Sequence, residues 1–256
     1  MTHRERLLGV AGVLGVVGAW WGAAALAGGG GSALPSPPAV VWTLTERWSA
    51  DDFGGNLLAS LGRVMAGFAV GTTLGTAVGV LSGWSTTARW TLYPPLEMAR
   101  YIPALAWMPL AIMWLGLGEL SMIFLVSLGA FFQTLIGMHG AVRRIDPAMF
   151  RAARTLGCDG PALLWRVALP AVLGDLATAL RVGMTLSYIT VVGAELLGAD
   201  RGLGYLMMLG REDGRTELIV ASLALFAVCN LATDAAVRRL FDHLLRWHVG
   251  LQGVRV

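Results

Sequence analysis

Long apolar runs separated by short polar segments dominate the pattern of this chain. A helix needs about 20 mainly apolar residues to cross the hydrocarbon core of a bilayer. Six stretches meet that length, and each predicts a membrane-spanning helix: Leu7–Ala27, Asn56–Gly83, Ala99–Leu117, Leu120–Gly140, Leu169–Gly198 and Glu217–Leu240. The third contains Pro103 and Pro109, which a membrane helix tolerates where neighbouring helices satisfy the freed carbonyl groups.

The segments between these stretches are too short to form a second folded domain. The pattern therefore predicts an all-α integral membrane protein with a single transmembrane domain over residues 1–256. The first stretch has an alternative interpretation, because Ala25-Leu26-Ala27 resembles the cleavage site of a signal peptide. Its apolar run is longer than the usual 7–15 residues of a signal peptide, so we expect a retained helix.

Composition supports a membrane protein. Apolar residues make up 56% of the chain and charged residues 14%, whereas a soluble domain carries about 25% charged residues. This balance argues against a soluble enzyme, a disordered chain or a nucleic-acid binder. Cys158 and Cys229 are far apart in the sequence, so we expect neither a disulfide framework nor a metal site.

The basic residues are all arginines, and their distribution predicts the orientation in the membrane. Six spans place both chain ends on the same side of the membrane, and most of the arginines outside the spans fall on that side. The segments on the other side hold only Arg47, Arg201, Arg211 and Arg215. Positively charged residues accumulate in cytoplasmic loops. We therefore expect both termini to be cytoplasmic.

One predicted cytoplasmic loop, residues 141–168, should itself contain helix. Asp146 is a suitable N-cap and Pro147 suits the first helical turn, while Gly157 fits a helix end. A second short helix could run from Asp159 as N-cap to Trp165. The small residues of the first helix would let another backbone approach closely; the alternative is an amphipathic helix lying on the membrane.

The loop also carries a spaced motif. It contains Arg151-Ala152-Ala153-x-x-x-Gly157 and then Val167-x-Leu169-Pro170. This pattern resembles the EAA loop of ABC importer permeases, which reads Glu-Ala-Ala-x-x-x-Gly and then Ile-x-Leu-Pro. The chain departs from that pattern at Arg151, where the family has Glu, and at Val167, where it has Ile.

Further segments resemble one branch of this family, the permeases for nitrate, aliphatic sulfonates and taurine. They are Leu34-Pro35-Ser36-Pro37, Ser60-Leu61-x-Arg63, Ile102-Pro103-x-Leu105-Ala106-Trp107-x-Pro109-Leu110, Trp114-x-Gly116-x-Gly118-Glu119, Ala194-Glu195-Leu196 and Arg201-Gly202-Leu203-Gly204-Tyr205. The Arg-Ala-Ala form of the loop, with Trp107 and Trp247-His248, looks most like the taurine permeases.

The resemblance implies a function and a set of partners. It implies the fold of a type I (MetI-like) ABC importer permease in the bacterial inner membrane, with the loop helix acting as a coupling helix. Two permease subunits, here most simply two copies of this chain, would form the pore. Two cytoplasmic ATPase subunits would bind the loops, and a periplasmic or lipid-anchored binding protein would deliver substrate.

The same resemblance implies that this chain binds no cofactor and is not catalytic. ATP and Mg²⁺ would bind the ATPase subunits, which agrees with the absence of Lys, since a phosphate-binding P-loop requires one. Taurine or another alkanesulfonate is the expected substrate. Nitrate, bicarbonate, aromatic acids and thiamine-precursor pyrimidines are alternatives on the same scaffold.

Four charged residues within predicted spans are candidate functional or structural residues: Arg63, Asp175, Arg181 and Glu195. Charged groups are costly in hydrocarbon, and they should face the bundle interior, water or a partner. Arg63 and Glu195 fall at similar depth, so we expect them to pair or to share a polar cluster. Arg181 could line an anion pathway, and the alternative is a structural pair between helices.

Two other classes of membrane protein remain alternatives. An intramembrane enzyme would need a nucleophile and a base, or a metal cluster, at membrane depth, and the four His lie at span ends or in tails. A secondary transporter would usually show internal repeats and more spans. Neither would need the EAA-like loop.

Overall fold

The computed structural model describes residues 3–26 and 34–244, and the secondary structure of those residues is helical throughout, without strands. The helices are α1 His3–Leu26, α2 Pro37–Glu46, α3 Phe53–Trp84, α4 Thr86–Thr91, α5 Tyr93–Ala99, α6 Met108–Leu115, α7 Glu119–Arg144, α8 Pro147–Thr155, α9 Pro161–Leu163, α10 Leu169–Ala171, α11 Leu173–Gly198, α12 Leu203–Glu212 and α13 Thr216–Leu244. A 3₁₀ turn covers Ala104–Trp107, and a π-helical turn covers Leu164–Ala168.

Four of the predicted spans are confirmed as single long helices. Within the described residues, α3, α7, α11 and α13 are long and apolar enough to cross a membrane. The first predicted span falls on α1, whose apolar part is Leu14–Leu26. The fifth prediction began at Leu169, but α11 begins at Leu173, because short turns precede it.

The third predicted span, Ala99–Leu117, is not one continuous helix. The chain there forms two helical arms, Thr86–Ala99 and Ala104–Leu115, bent by 92° at a short break. Pro103 lies in that break with extended backbone angles, and a proline disfavours helical geometry in the residue before it. Pro109 breaks nothing, because it lies in the first turn of α6, where no backbone N–H is needed.

The described chain divides into two compact units. One consists of the described parts of Met1–Ser60 with Asp200–Ala227, and the other of Leu61–Ala199 with the described part of Val228–Val256. The prediction of a single transmembrane domain stays a prediction.

Polar side chains hold the start of α12 in the first unit. The backbone N–H of Gly202 donates to Asn56 Oδ1 at 2.7 Å, and that of Leu203 donates to Ser60 Oγ at 2.8 Å. These bonds satisfy N–H groups that a helix start leaves without partners. In the same unit Arg215 forms a forked ion pair with Asp51, with bonds of 2.7 and 3.0 Å. The hydrogen bonds from Arg215 lower the pKa of Asp51.

Glycines bring α3 and α7 close together in the second unit. Gly67, Gly71, Gly75, Gly79 and Gly83 recur every fourth residue and lie on one face of α3. An added Cβ at Gly75 would lie 2.6 Å from the carbonyl oxygen of Phe131, and one at Gly79 would lie 2.6 Å from that of Leu135. Small residues of this spacing allow close helix packing in membranes.

The other side of α7 packs against α11. A Cβ added at Gly137 would lie 2.9 Å from the Cβ of Ala179, and one at Gly129 would lie 2.8 Å from Thr190 Oγ1. Ala130, Thr134, Met184 and Val191 are buried between the helices of this unit. Helix α7 is therefore enclosed by α3 on one side and α11 on the other.

We expect Gly75→Ala to lower the thermal stability of the purified protein. The new Cβ would clash with the Phe131 carbonyl, and overpacking of this kind costs about 1–3 kcal/mol. Gly62→Ala is the control, because a Cβ there meets nothing within 4 Å, and alanine is the better helix former. Heating in detergent followed by size-exclusion chromatography would measure both. Equal melting of the two variants would contradict close α3–α7 packing.

Candidate functional site

Helix α8 lies in the loop that the sequence singles out, and it starts as predicted. Asp146 is the N-cap, and its carboxylate accepts a hydrogen bond of 2.7 Å from the backbone N–H of Ala148. Pro147 occupies the first helical position, where its fixed φ suits the helix and its missing N–H costs nothing. These local interactions define the first turn of a helix that buries none of its residues.

The end of α8 forms a Schellman motif. The N–H of Cys158 donates to the carbonyl of Ala153 at 3.0 Å, and the N–H of Gly157 donates to that of Arg154 at 2.9 Å. Gly157 has φ +80°, and a Cβ added there would meet nothing within 4 Å. The glycine of the motif is therefore needed for its backbone conformation. The binding of this loop by an ATPase subunit stays a prediction.

The two faces of α8 differ. Phe150 turns towards α3, where its ring meets Trp84 edge-on with centroids 5.7 Å apart. Ala153 is half-buried, whereas Met149, Ala152 and Leu156 are exposed, Leu156 to 87%. The exposed three stand at helical spacing on the outward face. Of the two alanines of the motif, Ala152 thus points outward and Ala153 is half-buried.

The second half of the loop departs from the prediction. Asp159 is not the N-cap of the next helix; Gly160, with φ +60°, has that position, and the Asp159 carboxylate lies 3.9 Å from Arg154 Nε. The predicted helix up to Trp165 is instead α9 followed by the π-helical turn. Val167 and Leu169 are half-buried.

Pro170 lies in the short helix α10, outside the long helix α11. It has no N–H to continue the hydrogen-bond ladder. The preceding turn is widened, and the N–H of Leu169 donates to the carbonyl of Leu164. The proline therefore marks a joint between the loop and α11.

A cavity of about 610 Å³ lies behind α8. Arg143, Arg151 and Arg154 line it together with apolar residues such as Trp84 and Phe150. The structure therefore places Arg151, which stands where the EAA motif has Glu, at the edge of a basic cavity.

Arg63 lies between two carboxylates. Its Nη1 donates to Glu195 Oε1 at 2.7 Å, while Nε and Nη2 donate to the two oxygens of Glu119 at 2.7 and 2.5 Å. The side chains of Arg63 and Glu195 are 1% and 0% exposed, and that of Glu119 is 61% exposed. The predicted contact between Arg63 and Glu195 is present, and it joins α3, α7 and α11.

Glu119 is not among the four charged residues that the sequence analysis predicts. It lies just before the predicted fourth span, and a count restricted to spans omits it. The segment Gly118-Glu119, which the resemblance already included, was the available signal. In the structure Gly118 has φ +132° at the start of α7, and Glu119 is the first residue of that helix.

The other two predicted charges do not join this cluster. Asp175 accepts a bond of 2.9 Å from Arg144, and both side chains are largely exposed. Arg181 forms a forked pair with Asp234 of α13, with bonds of 2.7 and 3.2 Å. Asp234 falls within the predicted sixth span but is not among the four predicted residues. The four predicted residues therefore belong to three separate ion-pair groups.

Comparison with known proteins identifies the family. Residues 62–246 match the family described as binding-protein-dependent transport system inner membrane component. That range is more than half of the chain and includes the Arg63 cluster and α8.

Two relatives align over nearly the whole chain. The Bacillus subtilis (strain 168) protein SsuC, whose name refers to aliphatic sulfonates transport, is 35% identical over 95% of this chain and 84% of its own length. The taurine transport system permease protein TauC of Escherichia coli (strain K12) is 32% identical over 97% of this chain and 92% of its own length.

A solved structure shows the same fold. A chain from inward-facing conformations of the MetNI methionine ABC transporter superposes with a TM-score of 0.67, covering 78% of this chain and 98% of that chain. The sequence identity is 21%, so the match supports the fold alone. The predicted type I ABC importer permease fold is confirmed.

We expect Arg63→Ala to destabilise the protein strongly. It leaves Glu195 buried without its guanidinium partner, and breaking a buried ion pair costs about 3–5 kcal/mol. Glu195→Ala disrupts the same cluster, so the double variant should lose less than the sum of the single losses. Thermal unfolding of the purified variants in detergent would measure these losses.

Arg144→Ala is the control for this cycle. The ion pair between Arg144 and Asp175 is exposed. Removal of the Arg144 side chain should therefore lower the free energy of unfolding by only about 0–1 kcal/mol. Fully additive losses for Arg63→Ala and Glu195→Ala would show that the two side chains act independently.

Proposed function

The chain belongs to the family of binding-protein-dependent transport system inner membrane components, and we propose that it forms the pore of an ATP-driven importer for taurine or another alkanesulfonate. The similarity to SsuC and TauC over nearly the whole chain supports this substrate class. Nitrate, bicarbonate, aromatic acids and thiamine-precursor pyrimidines are the alternatives. The observation that most directly supports ATP-driven transport is that helix α8 is exposed and capped at both ends.

Helix α8 is the proposed docking element for a cytoplasmic ATPase. A chain without Lys has no P-loop, so a partner must supply the energy of ATP hydrolysis mechanically. The apolar outward face formed by Met149, Ala152 and Leu156 is available for a partner's groove. Both helix ends are capped within the loop, so α8 can transmit force as a rigid piece.

Force on α8 would reach the long helices through short connections. The N-terminal end of α8 follows α7 directly, and the ion pair between Arg144 and Asp175 joins the end of α7 to the first turn of α11. The Arg63 cluster joins the opposite ends of α7 and α11 to α3. Helices braced at both ends move as a rigid body, which is the motion that alternating access requires.

The proposed assembly contains two copies of this chain, two ATPase subunits and a periplasmic or lipid-anchored binding protein. ATP and Mg²⁺ bind the ATPase subunits, and this chain binds no cofactor and performs no catalysis. The chain lies in the inner membrane as a multi-pass protein. Both termini and α8 face the cytoplasm, as the arginine distribution favours.

We expect Ala152→Trp to prevent co-purification of the ATPase subunit. The added indole would project from the outward face of α8, where Ala152 is exposed, and would keep the two surfaces apart. Ala236→Trp is the control, because Ala236 is exposed on a helix outside the loop. Pull-down of the ATPase subunit with each variant would measure docking. Normal docking by Ala152→Trp would contradict the assignment of α8.

We expect a taurine-loaded binding protein to stimulate ATP hydrolysis by the wild-type complex in lipid nanodiscs. Stimulation would support an importer of sulfonates. Stimulation only with another loaded ligand would retain the importer and change the substrate. If no ATPase subunit co-purifies with the wild-type chain, the proposal of an ATP-driven importer is wrong.

A further inference from the structure

A cavity of about 350 Å³ lies at the break in the bent helix pair, within the second unit. Residues 100–104 of the break form one wall, residues 128–136 of α7 another, and Leu186 and Thr190 of α11 a third. These residues lie near the middle of α7 and α11, and both of those helices are long enough to span a bilayer. The cavity therefore lies near mid-depth of the membrane.

The cavity wall is mainly apolar with a few polar groups. Ile102, Leu128, Phe132 and Ile136 contribute apolar surface. The polar contributions come from Arg100, Tyr101, Gln133 and Thr190. A mostly apolar pocket of a few hundred Å³ with a small number of polar groups is typical of sites for small molecules.

Arg100 differs from the other arginines of the spans. Arg63 is held by two carboxylates and Arg181 by a forked bond to Asp234. Arg100 forms only a long ion pair with Glu97, at 3.8 Å, and donates one hydrogen bond, of 3.2 Å, to the Tyr101 hydroxyl. Its Nε has no hydrogen-bond partner within the described chain.

Gln133 offers further hydrogen-bonding capacity on the opposite wall. No hydrogen bond joins its side chain to another residue of the described chain, and it is only partly exposed. The Thr190 hydroxyl donates to the carbonyl of Leu186 at 2.9 Å, which leaves its oxygen able to accept. The cavity thus combines a cation that has spare donors with an amide that has both donors and an acceptor.

We propose that this cavity is a transient site for the sulfonate group of the transported substrate, with Arg100 as the principal ligand and Gln133 as the second. This inference rests on the proposed function. A guanidinium presents a planar fork of donors to an oxyanion. A positive charge at mid-depth lowers the barrier that hydrocarbon presents to an anion.

The same geometry favours release. Glu97 lies near enough to weaken the positive potential of Arg100, and one third of the Arg100 side chain is exposed. Conduction requires a site that binds well enough to admit the anion but weakly enough to let it leave. From the sequence alone, Arg181 is the arginine that could line an anion pathway. We propose Arg100 for that role, because Arg181 already donates two hydrogen bonds to Asp234.

Uptake by the reconstituted complex with its binding protein tests the site. Arg100→Gln should lower the maximal rate of radiolabelled ethanesulfonate or taurine uptake by about tenfold or more, because a charge-assisted bond is lost. Arg100→Lys should retain more activity than Arg100→Gln, because the charge remains. The half-saturating concentration should change little, since the binding protein captures the substrate.

Arg89→Gln is the matched control. Arg89 lies on the same bent helix pair but does not line the cavity. The amount of assembled complex and its ATPase activity without binding protein should stay normal in all three variants. If uptake by Arg100→Gln equals that of Arg89→Gln, or if Arg100→Gln lowers the amount of assembled complex and not the uptake by the complex that assembles, the proposal is overturned.

Thiol labelling gives a readout that does not depend on transport. Ile136→Cys places a thiol in the cavity, in a chain whose own cysteines are changed by Cys158→Ser and Cys229→Ser. Two reagents are compared in nanodiscs, at rest and during ATP turnover: the anionic sulfonatoethyl and the cationic trimethylammonioethyl methanethiosulfonate. Arg100→Gln should lower the ratio of anionic to cationic labelling rates by about tenfold, and Arg89→Gln should not.

The outcomes separate this site from the proposed function. If the wild-type complex takes up none of the tested anions, the proposed substrate class fails, while the labelling ratio still tests the anion preference of the cavity. If wild-type uptake is normal and the ratio does not respond to Arg100→Gln, the site is wrong and the importer stands. Absence of labelling by either reagent in both states also overturns the site.

Discussion

The absence of water in the bilayer core is the constraint on which this structure depends. A charge there must be paired within the protein, because hydrocarbon cannot solvate it. Arg63 satisfies this condition by binding Glu195 and Glu119, so that one side chain of α3 connects to both α7 and α11. A buried ion pair adds little net stability compared with apolar packing. Its value here is that it defines which helices are neighbours and at which depth.

Close packing complements the ion pairs. Membrane helices gain little from the hydrophobic effect when they associate, so contact between backbones matters more. The glycines of α3 and the small residues between α7 and α11 provide that contact. As a result α7 is held on two sides, and the loop that follows it starts from a defined position. The exposed helix α8 and the mid-depth cavity both depend on the placement of α7.

Charged residues in the spans separate into two kinds. Arg63 and Arg181 are bound to carboxylates of other helices. Arg100 lies in a helix break, and its Nε–H donor has no hydrogen-bond partner within the described chain. The helix break allows Arg100 to face a cavity, because an interrupted membrane helix can leave polar groups exposed only where it borders a cavity or is buried in protein. Arginine thus joins helices in two places, and in a third it is the proposed ligand of the transported substrate.

The sequence by itself determined the features that depend on local pattern. Apolar length identified α3, α7, α11 and α13, the cap residues Asp146 and Gly157 delimited α8, and the spaced motif identified the family. Only the tertiary structure decided the 92° bend at Pro103, the partners Glu119 and Asp234, and the exposure of Arg100 to a cavity. Hydropathy and capping act within a few turns of chain. Pairing between residues far apart in sequence depends on the lateral order and depth of helices, which tertiary packing determines.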